Sequence, residues 1–466
     1  MNIDWLWWTQ AFFIGYFLAL NGGYLGLNLL AMLSLRGYMR QRSALGDEAP
    51  YLGVEPPISL LVPGYNEEAT IRTSVRSMLQ LQYPDFEVVV INDGSRDGTL
   101  DVLREEFDLV LQPQPMRRTV DHKPILGVYR SRRYANLRVI DKENGGKADA
   151  LNAGINAARH MLFCAVDADS ILQRDSLLRV VQPFLEDERT VAAGGTVRLA
   201  NGSEVRGGFL VRAGLPRNWV ARFQIVEYLR AFLLGRLGWS PLNAVLIISG
   251  AFGLFNRERV IAAGGYSTTT VGEDMELVMR LHRYHRERRI PYRICYLPDP
   301  ICWTEAPEDL GTLGRQRSRW QRGLAESLTR HVRLALSPRA GAAGLLAWPF
   351  MTLFELIGPL IELVGYIVMV GGFAFGVISP TALVVFLLVA IGMGILLSVN
   401  GLLLETLSFR VYARKRDMLL MFAMAVLENF GYRQLNTLWR CRGMWQWFSR
   451  RKHNWGVMRR SGTWGQ

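Results

Sequence analysis

Two aspartates one residue apart close an apolar stretch in the first half of the chain. Asp167 and Asp169 follow residues 161–166, a short run of the kind that forms a buried strand. Two carboxylates in such a turn can both reach one divalent cation, and Mg²⁺ held this way commonly takes its remaining ligands from substrate phosphates. A helix cap near Asp175 is the alternative, because Asp and Ser are favoured at caps.

Two further polar groups precede helical stretches. Asp93 follows the apolar run 86–91 in the sequence Asn-Asp-Gly-Ser, where it could accept hydrogen bonds from a base or a sugar, or simply form a turn. Lys147 follows Asn-Gly-Gly at a helix start, where backbone amides and a lysine favour an anion. A flexible helix end is the alternative, since the spacing of a Walker A loop is absent.

Two later segments combine acids, arginines and a tryptophan. Glu273 and Asp274 open a helical run, so a carboxylate there could act as a general base or only stabilise the helix start. Residues 316–320 read Gln-Arg-Ser-Arg-Trp within an arginine-rich stretch. An amphipathic helix on anionic membrane explains most of these arginines. A membrane surface does not explain Trp320, which stands beside Arg319. The flat face of a tryptophan ring suits a sugar ring, and an arginine suits diphosphate oxygens.

Strand and helix patterns alternate between these polar groups. The alternation predicts a mostly parallel sheet, and ligands bind such sheets at the carboxyl ends of the strands, where the polar residues fall. The basic segment 113–138 is predicted to be a loop-like insertion. The predicted strands are 58–62, 86–91, 137–140 and 161–166, and the predicted helices are 67–81, 97–107, 147–158 and 275–283.

Several stretches are apolar enough for a membrane. Glu355 and Glu362 share a helix face and should contact protein or water rather than lipid. Arg36 and the basic residues after it place the end of the first span in the cytoplasm. Residues 418–427 suit a segment that dips into the membrane better than a full span, and a polar-lined spanning helix is the alternative. The stretches that reach the required length of about 20 residues are 11–35, 356–378 and 381–404.

Composition narrows the function classes. The chain has 466 residues, of which 50% are hydrophobic and 20% charged, which excludes a disordered tail and favours about two or three domains. A net charge of +13 indicates an anionic partner. Nucleic acid is not expected, since no helix-turn-helix, zinc finger or aromatic RNA-binding sequence occurs. The absence of Gly-x-Ser-x-Gly and His-Glu-x-x-His argues against serine hydrolysis and a zinc protease.

In their order along the chain, these segments resemble the membrane-integrated processive family 2 glycosyltransferases, which include the synthases of cellulose, hyaluronan and poly-N-acetylglucosamine. The last segment is the most specific, because non-processive relatives generally lack it. Asn92 and Gly272 depart from the family pattern, in which aspartate and threonine are usual. The segments are Tyr65-Asn-Glu-Glu, Asn92-Asp-Gly, Gly-Gly-Lys147, Asp167-Ala-Asp169, Ser249-Gly-Ala-Phe252, Glu273-Asp274 and Gln316-x-x-Arg-Trp320.

The resemblance implies an α/β GT-A fold, Rossmann-like and cytoplasmic, inserted between transmembrane helices. It also implies inversion at the anomeric carbon and a divalent metal, Mg²⁺ or Mn²⁺, with Asp274 taking the proton from the acceptor hydroxyl. The implied donor-binding residues are Tyr65, Glu67, Asp93, Lys147, Asp167, Gln316 and Arg319, the metal ligands Asp169 and Asp167, and the acceptor-binding residues Trp320, Ser249, Gly250, Phe252 and Glu273.

We therefore expect an enzyme that polymerises a sugar from a nucleotide-diphosphate donor, here a UDP-sugar, into a polysaccharide at the inner membrane. The growing glycan, membrane lipids and accessory export subunits are the expected partners. Two alternatives stay open: transfer of a single sugar to a lipid carrier or glycolipid, and a catalytically silent scaffold or receptor component. The expected units are a transmembrane helix (1–40), a GT-A domain (50–305), an amphipathic interfacial helix (306–340), transmembrane and re-entrant helices (345–438) and a basic cytoplasmic tail (439–466).

Overall fold

The computed structural model describes residues 3–45, 53–112, 115–412 and 414–449. Within these residues the strands are β1 (Ile58–Gly64), β2 (Phe86–Asp93), β3 (Leu109–Leu111), β4 (Ile125–Ser131), β5 (Leu137–Lys142), β6 (Leu162–Val166), β7 (Ile171–Leu172), β8 (Thr190–Leu199), β9 (Glu204–Arg206), β10 (Phe209–Arg212), β11 (Phe252–Asn256) and β12 (Arg293–Thr304).

The α-helices of the same residues are α1 (Ile3–Leu45), α2 (Ile71–Met78), α3 (Thr99–Phe107), α4 (Lys147–Ala157), α5 (Ser176–Val180), α6 (Gln182–Glu186), α7 (Trp219–Tyr228), α8 (Leu237–Trp239), α9 (Arg257–Ala262), α10 (Glu273–Glu287), α11 (Leu310–Arg330), α12 (Trp348–Phe350), α13 (Gly358–Ala374), α14 (Pro380–Leu387), α15 (Met393–Ser408), α16 (Lys415–Leu427) and α17 (Tyr432–Phe448). Wider π-type turns occupy Leu229–Arg236, Ala343–Ala347, Met351–Leu356 and Leu388–Gly392, and 3₁₀ turns occupy Ser240–Leu242, Val332–Leu334 and Pro338–Ala340.

A mixed sheet with a parallel centre forms the core of the α/β domain. Its ten strands run in the order β3-β4-β5-β2-β1-β6-β11-β8-β12-β7. The four strands predicted from the sequence, β1, β2, β5 and β6, are confirmed and form the parallel centre. The expectation of a mostly parallel sheet is wrong: β4 and β7 toward the two edges, and β11 between β6 and β8, run antiparallel to their neighbours.

The basic segment 113–138 is not only a loop, as the sequence had predicted. It contains β4, which pairs antiparallel with β5 and buries Val128. β4 lies beside the short edge strand β3, and Gly127 and Arg130 interrupt its apolar residues, of which only some are buried, so its sequence lacks a clear apolar run. The preceding residues lie against α4, where the Val120 amide donates a 3.1 Å hydrogen bond to the Asn156 side chain.

The predicted helices are confirmed in type, and two begin later than predicted: the pattern 97–107 becomes α3, which begins at Thr99, and the pattern 67–81 is shortened more. The pattern 67–81 becomes α2, which begins only at Ile71. Thr70 explains the delay, because its hydroxyl donates to the Glu67 carboxylate at 2.7 Å and its amide donates to the Glu67 carbonyl at 3.0 Å, closing a turn. Helix α4 begins at Lys147 as predicted, and α10 begins at Glu273, two residues before the predicted start at 275.

The first helix is long enough to cross a membrane and continue onto the α/β domain. At 43 residues it extends about 65 Å, against about 30 Å for a hydrocarbon core. Tyr38 and Arg42, near its end, both contact the Asp299 carboxylate, which is 1% exposed, with Arg42 at 3.0 Å. Arg179 reaches the same carboxylate at 3.1 Å, so a buried charge cluster joins the helix to the sheet.

Two described helices are long and apolar enough to span a membrane, and three if one bent pair counts as a span. The helices Trp5–Arg40 and Pro380–Ser408 contain the first and last charge-free stretches. The bent pair Ala343–Leu356 and Gly358–Ala374 meets at 43° and includes most of the middle stretch. Pro359, at the first turn of α13, cannot donate a backbone hydrogen bond, which favours this break.

The segment expected to dip forms a short helix followed by a sharp turn. Its helix α16 has 13 residues and so extends about 20 Å, less than a full hydrocarbon core. The chain turns at Gly431, whose φ of 102° favours glycine, and continues as α17 beside α11. Residues 439–448, which we had expected in the tail, continue this helix, and the expected tail beyond residue 449 lies outside the described residues.

Two ion pairs join the α/β domain to the C-terminal helices. Arg198, at the end of β8, pairs with Glu405 of α15, and both side chains are 2% exposed. Arg230 pairs with Glu428 at 2.5 Å and donates to the Ser398 hydroxyl at 2.8 Å. Removing one partner of such a pair would leave the other charge buried and unpaired, so each pair links the C-terminal helices to the α/β domain.

The two glutamates of the middle apolar stretch contact protein, as expected. Glu355 binds the Tyr24 hydroxyl and pairs with Arg440 at 2.7 Å. Glu362 accepts a 3.0 Å hydrogen bond from the Thr437 hydroxyl. Both therefore face α1 or α17 rather than lipid.

Candidate active site

The carboxyl ends of three neighbouring strands bring the predicted donor residues together. Tyr65 follows β1, Asp93 ends β2, and Asp167 follows β6. Since β2, β1 and β6 are adjacent and parallel, these residues meet at one edge of the sheet. An open cavity of ≈ 1620 Å³ lies along this edge, and all three residues line it.

Tyr65 and Glu67 form one rim of the cavity. The ring of Tyr65 is 44% exposed and so is accessible to a ligand. The Glu67 carboxylate accepts a hydrogen bond from the Thr70 hydroxyl, and the Glu67 backbone amide donates one to the Thr99 hydroxyl at 2.9 Å. These two hydrogen bonds fix the rim to the starts of α2 and α3.

Asp93 fixes the loop that leads to Lys147. One of its carboxylate oxygens accepts from the Lys142 ammonium at 2.6 Å and the Gly145 amide at 3.0 Å, and the other accepts from the Gly146 amide at 2.7 Å. Gly146 has φ of 88°, which favours glycine there. The carboxylate is only 4% exposed, so its main contribution in this structure is to shape the loop.

Lys147 links this loop to the aspartate pair. Its ammonium pairs with the Asp167 carboxylate and donates to the Gly250 carbonyl at 3.0 Å. Burial opposes its charge, but Asp167 and Glu273 more than offset burial and hold the pKa of Lys147 above its usual range. The lysine therefore stays charged and brings the predicted diphosphate end next to the acceptor-side loop.

Asp167 and Asp169 are the carboxylates best placed for a metal ion. Both line the cavity directly after β6. Among the described residues, no three His, Cys, Asp or Glu side chains are grouped closely enough to hold an ion by themselves. Such a pair fits Mg²⁺ or Mn²⁺, because these ions are often held by one or two carboxylates with substrate phosphates and water completing the shell.

Asp274 lies in the first turn of α10 and contacts the acceptor-side loop. Its carboxylate accepts from the Gly250 amide at 3.0 Å and from the Met275 amide at 2.8 Å. A Cβ atom at Gly250 would lie 2.8 Å from the Lys147 ammonium, so glycine is what allows the loop, lysine and aspartate to meet.

The loop residues Ser249 and Phe252 lie in different surroundings. Ser249 lines the cavity, and its carbonyl accepts from the Phe252 amide at 3.1 Å. The Phe252 ring is fully buried in the core at the start of β11. Our sequence-based assignment of this ring to the acceptor is therefore corrected: Phe252 supports the loop from behind.

Glu273 has a carboxyl group whose pKa lies far above that of an ordinary glutamate. Burial raises its pKa to about 7, with the negative charges of Asp274 and Asp167 adding to the rise and Lys147 opposing it. An ordinary glutamate has a pKa of about 4.3. Glu273 therefore titrates near neutral pH at the acceptor side of the cavity.

The remaining predicted residues come from α11. Gln316, Arg319 and Trp320 all line the cavity, and the Trp320 ring is 43% exposed. Asp309 starts this helix by accepting the Thr312 amide at 2.7 Å. The opposite side of α11 packs on α17, so the helix is sandwiched between the cavity and the C-terminal helices.

Sequence reasoning missed several cavity residues. Arg317 had been assigned to a membrane surface with its neighbours, but it is 3% exposed and pairs with Glu227 at 2.8 Å. Its position inside the most specific segment was a signal for this. No local signal marked Glu227 and Arg236, which are single polar residues in an apolar stretch.

The cavity continues from Trp320 toward the membrane helices. There it is bounded by residues of α1, α12, α17 and the connecting turns, and its lining is aromatic with a few polar groups. These lining residues are Tyr24, Trp239, Phe350, Met351, Glu355 and Arg440.

Two known proteins are similar in sequence to 59% of this chain. A stretch of 274 residues, 59% of the chain, is 29% identical to a poly-beta-1,6-N-acetyl-D-glucosamine synthase of Staphylococcus epidermidis. A stretch of 276 residues is 31% identical to the synthase of that name from Staphylococcus aureus strain COL. The matched stretches span 56% of the length of these relatives.

A solved structure shares the fold. The mannosyltransferase PcManGT from Pyrobaculum calidifontis, solved with GDP-Man and Mn²⁺, is similar with a TM-score of 0.51 at 18% identity, covering 93% of this chain and all of that one. Residues 59–209 match the family described as Glycosyl transferase family 2, and residues 162–397, more than half of the chain, match Glycosyl transferase family group 2. The GT-A fold, the ordered motifs and the family match together show that the chain belongs to the family 2 glycosyltransferases.

Proposed function

We propose that this glycosyltransferase polymerises a sugar from a nucleotide-diphosphate donor into a polysaccharide at a membrane. The main support is that Asp274 and Trp320 line one cavity that continues among the candidate membrane helices to Glu355. A glycan held at Trp320 would therefore have a protein-lined path away from the base. The naming of the staphylococcal relatives as poly-N-acetylglucosamine synthases agrees with a polymer product.

The donor end of the cavity suits a nucleotide diphosphate. Tyr65, Glu67 and the loop held by Asp93 would hold the nucleotide. The diphosphate would meet Lys147 and, from α11, Gln316 and Arg319. Cationic side chains form strong charge-assisted hydrogen bonds with phosphate oxygens. We expect a UDP-sugar, and UDP-N-acetylglucosamine is the first to test because of the names of the relatives.

A divalent ion fits the aspartate pair at this end. Asp169, with Asp167, would hold Mg²⁺ or Mn²⁺, and the mannosyltransferase of similar fold was solved with Mn²⁺. When bound, such an ion stabilises the negative charge that develops on a departing diphosphate. Lys147 adds a second positive charge on the same side, since its ammonium already contacts Asp167.

The transfer would take place at the end of the cavity that holds Asp274, the proposed base. A sugar hydroxyl is a weak nucleophile, and a well-placed base accelerates its attack about 10²–10⁴-fold. Asp274 would take the hydroxyl proton as the acceptor oxygen bonds to the anomeric carbon and the bond to the diphosphate breaks on the opposite face, which inverts that carbon. The Gly250 and Met275 amides hold the carboxylate in one orientation.

The acceptor side would hold the end of the glycan. Trp320 offers a flat ring for stacking, and Glu273 and the loop of Ser249 and Gly250 offer hydrogen bonds. A sugar stacked on the ring would present its hydroxyl toward Asp274 across the cavity. This is the feature that favours repeated addition over a single transfer.

The expected location is the inner membrane with the catalytic domain in the cytoplasm. The candidate spans lie before and after the α/β domain, and Arg36 follows the first charge-free stretch on the side of this domain. Membrane lipids would surround these helices, and accessory export subunits would complete a route for the polymer.

One assay separates this proposal from the alternatives. Purified full-length protein in nanodiscs is given Mg²⁺ or Mn²⁺ and a panel of UDP- and GDP-sugars, and nucleotide release is recorded with product size. A ladder of products from one donor is expected. Single-sugar products would favour transfer to a lipid carrier or glycolipid. No release from any donor would favour the silent scaffold, against which the carboxylates Asp167, Asp169 and Asp274 in one cavity argue.

A further inference from the structure

The indole ring of Trp320 lies on a buried guanidinium group. The central carbon of the Arg317 guanidinium is 4.2 Å from the centroid of the ring. Arg317 is 3% exposed, whereas the Trp320 ring is 43% exposed. One face of the ring is therefore covered by Arg317 from inside the protein, while the ring as a whole stays accessible from the cavity. Cation–π contact of this kind favours a fixed ring plane.

Arg317 also holds the other polar side chain of this segment. Its guanidinium donates to the side-chain oxygen of Gln316 at 3.1 Å. A planar guanidinium has five donors in a rigid fork, so it can orient two neighbours at once. The orientation of Gln316 and the plane of Trp320 thus depend on where Arg317 is held.

Two residues from distant parts of the chain hold Arg317 in place. Glu227, at the end of α7, accepts from its guanidinium at 2.8 Å. The Tyr432 hydroxyl, at the start of α17, donates to the same Glu227 oxygen at 2.8 Å. The Tyr432 ring also stacks on Phe223 of α7, with centroids 5.0 Å apart. Three helices therefore meet directly beneath the Trp320 ring.

A buried ion pair is weak evidence for stability, because an apolar pair of similar size often serves as well. The position of the Arg317–Glu227 pair under the exposed Trp320 ring indicates a role other than stability. We propose that Glu227 and Tyr432 are positioning residues that act through Arg317 to fix the plane of the Trp320 ring for the acceptor sugar. Helix α17, which lies beyond the residues matched by the family models, is thereby part of the active site.

This inference rests on the proposed acceptor role of Trp320, and its first test compares transfer with hydrolysis. In purified full-length protein, the variants Arg317→Met and Glu227→Gln should lower the ratio of sugar transferred to sugar released into water about tenfold, with the donor KM within about twofold of wild type. Tyr432→Phe, which removes one hydroxyl, should lower the ratio about threefold. An unchanged ratio, or an equal rise in donor KM, would overturn the inference.

A matched control contacts the same helix, α17, from another part of the structure. The Tyr366 hydroxyl accepts a 3.3 Å hydrogen bond from Gln434 of α17 but belongs to α13 and does not line the cavity. Tyr366→Phe also removes one tyrosine hydroxyl that contacts this helix. The ratio of transfer to hydrolysis should stay at the wild-type value, and a threefold fall like that of Tyr432→Phe would overturn the specific role of Tyr432.

A double variant separates positioning from stability. Glu227→Gln leaves the Arg317 charge buried and unpaired, so its thermal unfolding midpoint should fall. Adding Arg317→Met removes that charge and should restore much of the midpoint, because the two sites are coupled. The ratio of transfer to hydrolysis should remain low in the double variant. Recovery of the ratio together with the midpoint would mean that the cluster is only structural.

The final test does not need turnover. Hydroxyl-radical oxidation of Trp320, followed by mass spectrometry, reports how well the ring is covered. Loss of Arg317 uncovers one face, so Arg317→Met should raise the oxidation rate about two- to threefold, and Tyr366→Phe should not. If wild-type protein makes no polymer but this rate still rises, the proposed product is wrong and the positioning stands. An unchanged rate would overturn the inference whatever the product.

Discussion

Gly272 and Gly323 lie in backbone contact where the helix that carries Asp274 meets the helix that carries Trp320. A Cβ atom added to Gly272 would be 3.0 Å from the Gly323 Cα and 3.2 Å from its carbonyl carbon. These distances are tighter than ordinary van der Waals contact, and both neighbours are backbone atoms that cannot rotate away. The contact explains why glycine stands where the family usually has threonine, and it sets the spacing between base and acceptor platform.

Adding one methyl group at this contact should slow transfer. Gly272→Ala must push α10 and α11 apart, and misplacement on the order of 1 Å lowers rates about 10²-fold, so we expect kcat for transfer to fall about tenfold or more. Nucleotide binding, measured by calorimetry, should change less than about twofold. Gly371→Ala is the control, since a Cβ there has no neighbour within 4 Å. Wild-type kcat in Gly272→Ala would contradict the role of this contact.

Asp274→Asn should abolish transfer while metal-dependent nucleotide binding stays largely intact. Asparagine keeps an oxygen that can accept the Gly250 amide at the observed 3.0 Å but cannot take a proton. We expect a loss of about 10²–10⁴-fold in kcat, measured as product formed at saturating donor. Loss of nucleotide binding to the same extent would show that the base is assigned wrongly.

The raised pKa of Glu273 predicts a change in the acceptor KM near neutral pH. Its pKa is raised to about 7, foremost by burial, so it gains its charge as pH rises through that value. The ionised carboxylate accepts stronger hydrogen bonds from sugar hydroxyls. The acceptor KM should therefore fall from about pH 6 to about pH 8, and Glu273→Gln should remove this step because glutamine does not titrate. An identical step in the variant would assign it to another group.

His282 predicts a loss of stability in mild acid. The ring is fully buried between the Tyr292 hydroxyl at 2.6 Å and the Val245 carbonyl at 2.9 Å, and burial lowers its pKa to about 4. In the unfolded chain the pKa is about 6.5, so as pH falls below about 6.5 only the unfolded state takes up this proton. The free energy of unfolding should drop by roughly 3 kcal/mol by about pH 4.

Unfolding midpoints across this pH range test the effect. The slope should be shallower in His282→Gln, which lacks the titrating ring, than in wild type. His122→Gln, in which a ring bonded only to its neighbour Lys123 is replaced, is the control and should keep the wild-type slope. Equal slopes in all three proteins would contradict the assignment.

The centre of the fold could be predicted from the sequence because its strands are apolar runs closed by turn residues. Ile58–Gly64 and Phe86–Asp93 are buried along nearly their whole length, so their sequences are distinct. The strand Ile125–Ser131, beside the edge strand β3, was missed because Gly127 and Arg130 interrupt its apolar residues and most of its residues are partly buried or exposed. Propensity patterns report burial, and the sheet edges are where burial is incomplete.

The candidate site was predictable where residues follow strands or open helices. Asp167 and Asp274 belong to short motifs whose positions in an α/β fold place them at one edge of the sheet. Glu227 and Tyr432 were not predictable, since each is a single polar residue and they meet only because the fold brings the end of α7 and the start of α17 together at Arg317 of α11. Contacts between residues far apart in the chain leave no local pattern in either segment.

The most direct test of the central claim is the effect of Trp320→Ala on product length. Wild-type protein and the variant receive the same donor and metal, and nucleotide release and product size are measured together. If Trp320 holds the growing glycan, nucleotide release should fall only about two- to threefold, while the ladder shortens to one or a few sugars because stacking contributes about 1 kcal/mol or more to holding the acceptor. Equal losses of release and extension, or a ladder of wild-type length, would contradict the account.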